Sequence, residues 1–414
     1  MNKLKKIRIQ GFKSIVDQEF EPGQVNVLIG ANGSGKTALL EAIGMLSAAI
    51  SGTVDNEALQ RRGVHLTTPQ LYKSSFKDVE SHPIDLSLQW FDVNEPWHYA
   101  VELENSNDNP EGAWAYQAES LKLNDQLILQ RQQNQVDTYG AFPVKHYETS
   151  TTYEGAVINF ALSQTNNASL QGFAEFLKAL KAYAIYTPTT PMLRDLVTDT
   201  RAFSSTFMGL SGNRLANAIQ TLIDVKNETY GHLDWDEVQE LLDWIDSIAV
   251  GQPTADIISP YVPRLQQVIR LTDRFMRENN NVFTVHDASE GSLYVLFLLT
   301  LAMHPYAPRF FAVENFDQAL HPHLACATAE LFCQALFDNP RQPTAFLTTH
   351  NPLVLDGIYI LDDRIRLFAI DRNHKGHTTI RRILVTEELL NQGKQGMSLS
   401  RLWVMGRLGG VPRS

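Results

Sequence analysis

Gly30-Ala31-Asn32-Gly33-Ser34-Gly35-Lys36-Thr37 follows an apolar, β-branched run, Val25 to Ile29, and leads into Ala38, Leu39, Leu40, Ala42, Ile43 and Leu46 at helical spacing. These residues fit G-x-x-x-x-G-K-[ST] in the strand, loop and helix setting that the pattern requires. Glycines let backbone N–H groups close around phosphates, and a helix N-terminus adds partial positive charge. Lysine reaches the β and γ phosphates, and a threonine hydroxyl is a ligand for Mg²⁺. The spacing predicts a nucleoside triphosphate site in which the glycine backbone and Lys36 hold the phosphates and Thr37 the metal.

Three later segments could complete such chemistry. Phe310-Phe311-Ala312-Val313-Glu314-Asn315 reads as a buried strand ending in an acid, the position expected of a carboxylate on the Mg²⁺ side of a phosphate loop. Leu320-His321-Pro322 and Thr348-Thr349-His350-Asn351-Pro352 follow it. Between loop and acid, Asp287-Ala288-Ser289-Glu290-Gly291-Ser292 opens an apolar helix, with Ser289 as its expected N-cap and a helix N-terminus suited to a phosphate. His321 and His323 with His350 lack a cysteine or acid at ligand spacing, so zinc is not favoured.

The elements that must position these residues are legible in the hydropathy pattern. Residues 4–9 alternate apolar and charged, and with Val25 to Ile29 they predict two early strands. Residues 52–165 are more polar, with strand-like runs at Ile84 to Phe91 and Tyr99 to Leu103 and an Asn-rich turn at Asn105 to Pro110. From 168 to 280 the pattern predicts helices over Leu170 to Ala182, Arg214 to Thr229, Trp235 to Ile248 and Pro263 to Glu278. After 282, strands are expected at Val282 to Val285, Phe310 to Val313, Thr344 to Thr348, Ile365 to Ile370 and Thr378 to Leu384, with helices at Ser292 to Met303 and Leu324 to Phe337. Alternating strands and helices predict a mainly parallel sheet with its ligand at the carboxyl ends of the strands. Leu399 to Gly410, with Trp403, reads as a tail docked on the head or on a partner.

Composition narrows the class. The 414 residues are 43% hydrophobic and 20% charged, which fits an ordinary globular chain and excludes disordered and collagenous ones. The longest strongly apolar run, Leu293 to Met303, is about half of what a bilayer needs, and the basic start has no signal-peptide core. A cytoplasmic protein is expected, without a membrane partner. Net charge is −11, with nine acids and one lysine between Asn217 and Asp256, so no overall field draws the chain to nucleic acid. Lys3, Lys5, Lys6, Arg8 and Lys13 could touch DNA phosphate, but they alternate along a strand whose outer face must be polar, and solvation is the favoured reading. Cys326 and Cys333, seven residues apart on an expected helix, lie about 10 Å from each other, too far for a disulfide.

Taken together, IRIQGFKSI, GANGSGKT with LLEAI after it, SEGS before an apolar helix, the strand-acid-LHP segment and TTHNPLVLD resemble the ABC-type ATPase heads of the SMC, RecF and OLD-like group, especially its short AAA-family members without long coiled coils. The motifs cover about 1–50 and 282–358. The resemblance implies an α/β P-loop NTPase whose mixed, mainly parallel sheet is assembled from both chain ends, with an N-terminal lobe at 1–165, a helical insertion at 166–281 and a C-terminal lobe at 282–414. It implies ATP and Mg²⁺ as cofactors, with Asn32, Gly33, Ser34, Gly35, Lys36 and Thr37 binding the nucleotide and Thr37 and Glu314 holding the metal. Glu314, Asn315 and His350 become the catalytic candidates, His350 as a γ-phosphate sensor. Ser289 and Gly291 become a signature motif that contacts the γ-phosphate in a partner subunit, so that two subunits sandwich two ATP molecules. Gln89, at the end of a strand-like run, is a candidate relay glutamine near the metal.

Two departures qualify the transfer. Glu314-Asn315 stands where many relatives have Asp-Glu, and an amide can orient water but cannot take its proton. Either Glu314 serves both roles, or Asp317 assists, or hydrolysis is slow and ATP binding is the signal. Only 64 residues follow His350, which does not fit a TOPRIM nuclease of the OLD type. Three readings remain open: an ATP-gated head controlling a separately encoded effector such as an anti-phage nuclease, a RecF-like or SMC-like DNA-associated ATPase, and an ATP-stabilised scaffold.

Overall fold

The computed structural model describes residues 3–80, 82–92, 95–105, 114–140, 145–148, 156–163, 170–196, 206–225, 235–254, 257, 267–384, 386, 389, 391 and 396–410. Its strands are β1 (Lys3–Phe12), β2 (Ile15–Phe20), β3 (Val25–Ile29), β4 (Ile84–Asp92), β5 (Glu95–Glu104), β6 (Ala115–Leu123), β7 (Gln126–Gln132), β8 (Gln135–Thr138), β9 (Lys145–Glu148), β10 (Ala184–Tyr186), β11 (Ile245–Gly251), β12 (Val268–Asp273), β13 (Val282–Thr284), β14 (Phe310–Val313), β15 (Thr344–Thr349), β16 (Ile365–Arg372) and β17 (Thr378–Ile383). Its helices are α1 (Lys36–Ser51), α2 (Asn56–Gln60), α3 (Pro69–Tyr72), α4 (Val157–Ser163), α5 (Gln171–Lys181), α6 (Thr190–Leu193), α7 (Leu215–Val225), α8 (Trp235–Leu241), α9 (Glu290–Met303) and α10 (Pro322–Asp338). A 3₁₀ turn at Pro352–Gly357 and a C-terminal helix at Leu399–Val404 complete the set.

A six-stranded sheet in the order β10-β14-β15-β3-β16-β17 carries the phosphate-loop strand near its middle. All neighbours are parallel except β16 and β17, which form an antiparallel hairpin. Alternation along these strands divides the core in two. Val25, Val27, Ile29, Phe311, Val313, Ala345 and Leu347 face α9 and α10, whereas Leu28, Phe310, Ala312 and Phe346 face α1. Helix α1 is buried on nearly every side because an eight-stranded antiparallel sheet, β2-β1-β4-β5-β6-β7-β8-β9, covers its far face.

Two helices expected from the sequence are partly strand. Trp235 to Ile248 is helical only through Leu241 and then enters β11, and the described part of Pro263 to Glu278 contains β12 and a turn. The β-branched runs at Ile245 to Val250 and Val268 to Thr272 pair antiparallel with each other, and β13 adds to them, giving a separate three-stranded sheet. Val282 to Thr284 therefore lies outside the parallel sheet that the alternation pattern suggested. Strand β10 was not expected at all; its three residues give no periodicity, yet they pair in parallel with Phe311 to Val313 and form one edge of the central sheet. The end of the expected helix at 226–229 and the turn at 106–110 lie outside the described residues.

Both cysteines are free, with Cys333 buried and its thiol pushed up to about 12 by burial. Trp403 is buried, as expected of a docked tail. Among the described residues no helix is long and apolar enough to cross a membrane.

Candidate nucleotide-binding site

The turn from β3 into α1 creates the floor of a cleft of about 760 Å³. Gly35 caps α1 with φ of 112°, and a Cβ there would stand 2.2 Å from Thr378 Oγ1, so both the backbone conformation and the space require glycine. The outer side of the loop rests on the β16–β17 hairpin. Arg372 Nε donates to Gly33 O at 2.9 Å, and Thr378 Oγ1 donates to Ser34 O at 2.8 Å. Lys36 folds back inside the loop, where Nζ donates to Gly30 O at 2.7 Å and Ala31 O at 3.1 Å. Burial pushes its amine down to about 8, against the pull of Glu314 and Asp317. A desolvated ammonium held by carbonyls near the first turn of a buried helix is a strong attractor for phosphate.

Parallel pairing of β14 with β15, and of β15 with β3, brings the second set of residues to the same edge. Thr37 Oγ1 donates to Glu314, so two hard oxygen donors 277 positions apart in sequence already converge. They fit Mg²⁺, which takes oxygen ligands, needs few from protein and shares the rest with phosphates and water. Replacing the hydroxyl's bond to Glu314 with bonds from both oxygens to one cation would keep this arrangement. Asn315 adopts φ of 55° and donates its amide to Thr348 Oγ1 at 2.9 Å, which fixes the turn that leaves the strand. Asp317 accepts from Thr349 Oγ1 at 2.7 Å and from the His350 amide at 3.1 Å. The His350 imidazole is pushed toward its neutral form by partial desolvation and next by Lys36, with Asp317 and Glu314 opposing.

Nine candidates from the sequence thus line one cleft: Asn32, Gly33, Ser34, Gly35, Lys36, Thr37, Glu314, Asn315 and His350. Ser289 and Gly291 do not. Ser289 caps α9, its Oγ accepting from Ser292 N at 3.2 Å, and it is exposed at a helix end outside the cleft. Gln89 is also elsewhere. It sits on β4 opposite Lys6 and His98, inside the antiparallel sheet and away from the cleft wall. The glutamine that lines the cleft is Gln70, in the first turn of α3; its only sequence signal was the Thr68-Pro69 helix start.

Sequence reasoning also missed Lys13, Glu41, His65 and Arg372, all in the cleft wall. Lys5, Lys6 and Arg8 do pair with acids on or next to β2, at 3.5, 3.0 and 2.7 Å, as a solvated polar face should. Lys13 departs from them. It has φ of 47° at the β1–β2 turn and its ammonium is bonded to Glu41, a carboxylate only 1% exposed. The positions that signal this are Glu41, four residues after Thr37 and hence on the same face of α1, and the turn between two strands.

Two family models match the chain. One, described as "AAA domain", covers residues 6–181, and the other, described as "AAA domain, putative AbiEii toxin, Type IV TA system", covers residues 193–356. No curated protein matches. Among solved structures, an SMC head bound to the C-terminal winged-helix domain of ScpA aligns with a TM-score of 0.51 at 12% identity, over 94% of this chain and 99% of that one. The SMC head domain from Thermotoga maritima aligns at 0.44 and 14% identity, over 92% and 100%. An SMC head with an extended coiled coil from Pyrococcus furiosus, bound to the C-terminal domain of ScpA, aligns at 0.48 and 13%, over 95% and 99%. At such identities the likeness is one of fold. With a phosphate loop, a strand-end acid and a following histidine on one sheet edge, and with AAA-domain models matching residues 6–181 and 193–356 in turn, the chain is an AAA-like ATPase head with the fold of the SMC heads.

Proposed function

We propose that two copies of this chain close around two ATP molecules and that this closure, rather than fast turnover, is the output. The observation that carries the reading is an incomplete site: phosphate loop, metal oxygens and His350 share one cleft, while Ser289 and Gly291 present an exposed helix N-terminus outside it. A second copy is what can bring that helix end to the open side of the cleft, where its N–H groups would meet the γ-phosphate. Mg²⁺, held by Thr37 and Glu314, would neutralise charge on the β and γ phosphates. Lys36 binds those phosphates, His350 faces them, and Asn315 orients water without taking its proton, which makes hydrolysis slow.

The segment 166–281, taken as an insertion between lobes at 1–165 and 282–414, is the element that the closure would move. Its contacts run to the signature turn. Thr190 bonds to Glu290, Arg194 Nη2 donates to Ala288 O at 3.0 Å, Tyr294 Oη donates to Pro188 O at 2.7 Å, and Trp244 Nε1 donates to Ser292 Oγ at 3.3 Å. A shift of α9 on closure would pass into this segment, which we take as the surface for a separately encoded effector, a nuclease in a bacterial anti-phage system. The toxin–antitoxin description of the second family model supports that setting. A second reading, a DNA-associated ATPase, draws on the SMC-head fold.

Solution mass with Mg²⁺ and ATP, and turnover with and without duplex DNA, test these. We expect ATP-dependent dimers, lost in Lys36→Ala and in Ser289→Arg, and turnover indifferent to DNA. Strong stimulation by DNA would favour the second reading, dimers without turnover an ATP-stabilised scaffold, and a monomer at all ATP concentrations would reject closure.

A further inference from the structure

Glu41 lies one turn beyond Thr37 on α1 and is buried, yet it carries two partners. Lys13 reaches it from the β1–β2 turn. His65, from the segment between α2 and α3, reaches it twice: Nδ1 lies 2.8 Å from Oε1, and the His65 backbone amide donates to the same oxygen at 3.0 Å. One carboxylate is therefore shared by two cations. The group carries a net charge of +1 when His65 is protonated and none when it is neutral. With Nδ1 committed to Glu41, the rest of the ring is open: the side chain is 68% exposed, in the wall of the cleft that holds Lys36, Thr37 and Glu314.

We propose that His65 is a nucleotide-binding residue that, as an imidazolium backed by Glu41, presents Nε2–H to the triphosphate of ATP, so that affinity depends on its protonation. The proposal rests on the ATP reading of the cleft. On balance the surroundings of the ring favour the charged form. The hydrogen bond to Glu41 raises its titration point, partial burial opposes this, the charges of Glu41 on α1 and Glu314 after β14 raise it further, and Lys13 opposes. Glu41 itself is held below the usual carboxylate range although burial pushes it up, because His65 and Lys13 both bond to it. A polyanion entering the cleft adds to the same preference. By linkage, the group whose titration point is raised binds best below that point, and its contribution fades as pH rises through it.

The test is binding of the non-hydrolysable analogue AMP-PNP with Mg²⁺ to the full chain between pH 5.5 and 8.5, for wild type, His65→Gln and His65→Lys. The analogue titrates as well, so the readout is the ratio of dissociation constants, variant over wild type, at each pH. For His65→Gln we expect about five- to tenfold at pH 6, the range for a charge-assisted contact discounted for exposure, falling toward one at pH 8.5. His65→Lys should bind as tightly as wild type at pH 6 and more tightly at pH 8.5. A His65→Gln ratio of one at every pH, or a ratio that rises with pH, overturns the proposal, as does failure of lysine to restore binding. Wild type that binds no analogue at any pH would overturn the ATP reading and this inference with it, whereas binding with a flat ratio overturns this inference alone.

Discussion

Asp317 accepts a hydrogen bond from the Thr349 hydroxyl at 2.7 Å and thereby ties the turn after β14 to the end of β15, one residue before His350. The same oxygen accepts the His350 amide. Asp317 is thus placed to orient His350, which we propose as the γ-phosphate sensor, through the backbone. In Asp317→Ala we expect turnover to fall about tenfold or more while AMP-PNP affinity changes less than about threefold, since the phosphate contacts stay and the orienting shell goes. Equal losses in both would show that Asp317 supports binding instead.

Asn315 follows Glu314, the acid at the end of β14, with φ of 55°. Asparagine tolerates this left-handed conformation, and glutamate there costs about 1 kcal/mol of backbone strain. Asn315→Glu should nevertheless hydrolyse ATP faster, because a carboxylate can accept the proton of the attacking water. A phosphate-release assay beside a thermal melt separates the two effects. Unchanged turnover would place the base elsewhere.

The C-terminal tail reaches the phosphate loop from behind. Gly410 N donates to the Asp371 carboxylate at 3.0 Å, Trp403 Nε1 donates to Gly410 O at 3.4 Å, and a Cβ on Gly410, whose φ is 69°, would stand 3.1 Å from Gly30 Cα. Gly410→Ala should cost about 1–2 kcal/mol of stability through strain and crowding. Because the crowded atom belongs to the first glycine of the loop, we also expect weaker AMP-PNP binding, measurable by calorimetry below the variant's melting range.

His304 ends α9 with 1% exposure, its ring 3.9 Å from that of Phe207, and its Nδ1 accepts from the Tyr306 amide at 3.0 Å. Burial, then the charge of Arg341, pushes it down to about 4, against the opposing Ala218 carbonyl. A histidine lowered on folding contributes stability that is complete above about 6.5 and is lost as pH falls toward 4. Over that window wild type should lose about 2–3 kcal/mol from this group. Urea unfolding at several pH values should show a flatter acid limb for His304→Asn; an equally steep limb would assign the loss to other groups.

Much of the site is legible in the sequence alone. Gly30 to Thr37 announced its role because close approach to phosphate admits few residue types, and those types sit within one local strand, loop and helix. The strand-end acid and the Thr-Thr-His segment were readable for the same local reason, as were most strands of the central sheet, whose continuous apolar runs reflect burial on both faces. What the chain could not reveal locally was set by long-range pairing. Register across the parallel sheet brought Thr37 to Glu314, and pairing between Ile245–Gly251 and Val268–Asp273 overrode helical spacing in favour of strands. The antiparallel sheet carried Gln89 away from the cleft, while the turns at Lys13 and His65 converged on Glu41 inside it. Residue types that chemistry restricts are written in the sequence; neighbours that meet only because distant strands pair are decided by the tertiary fold.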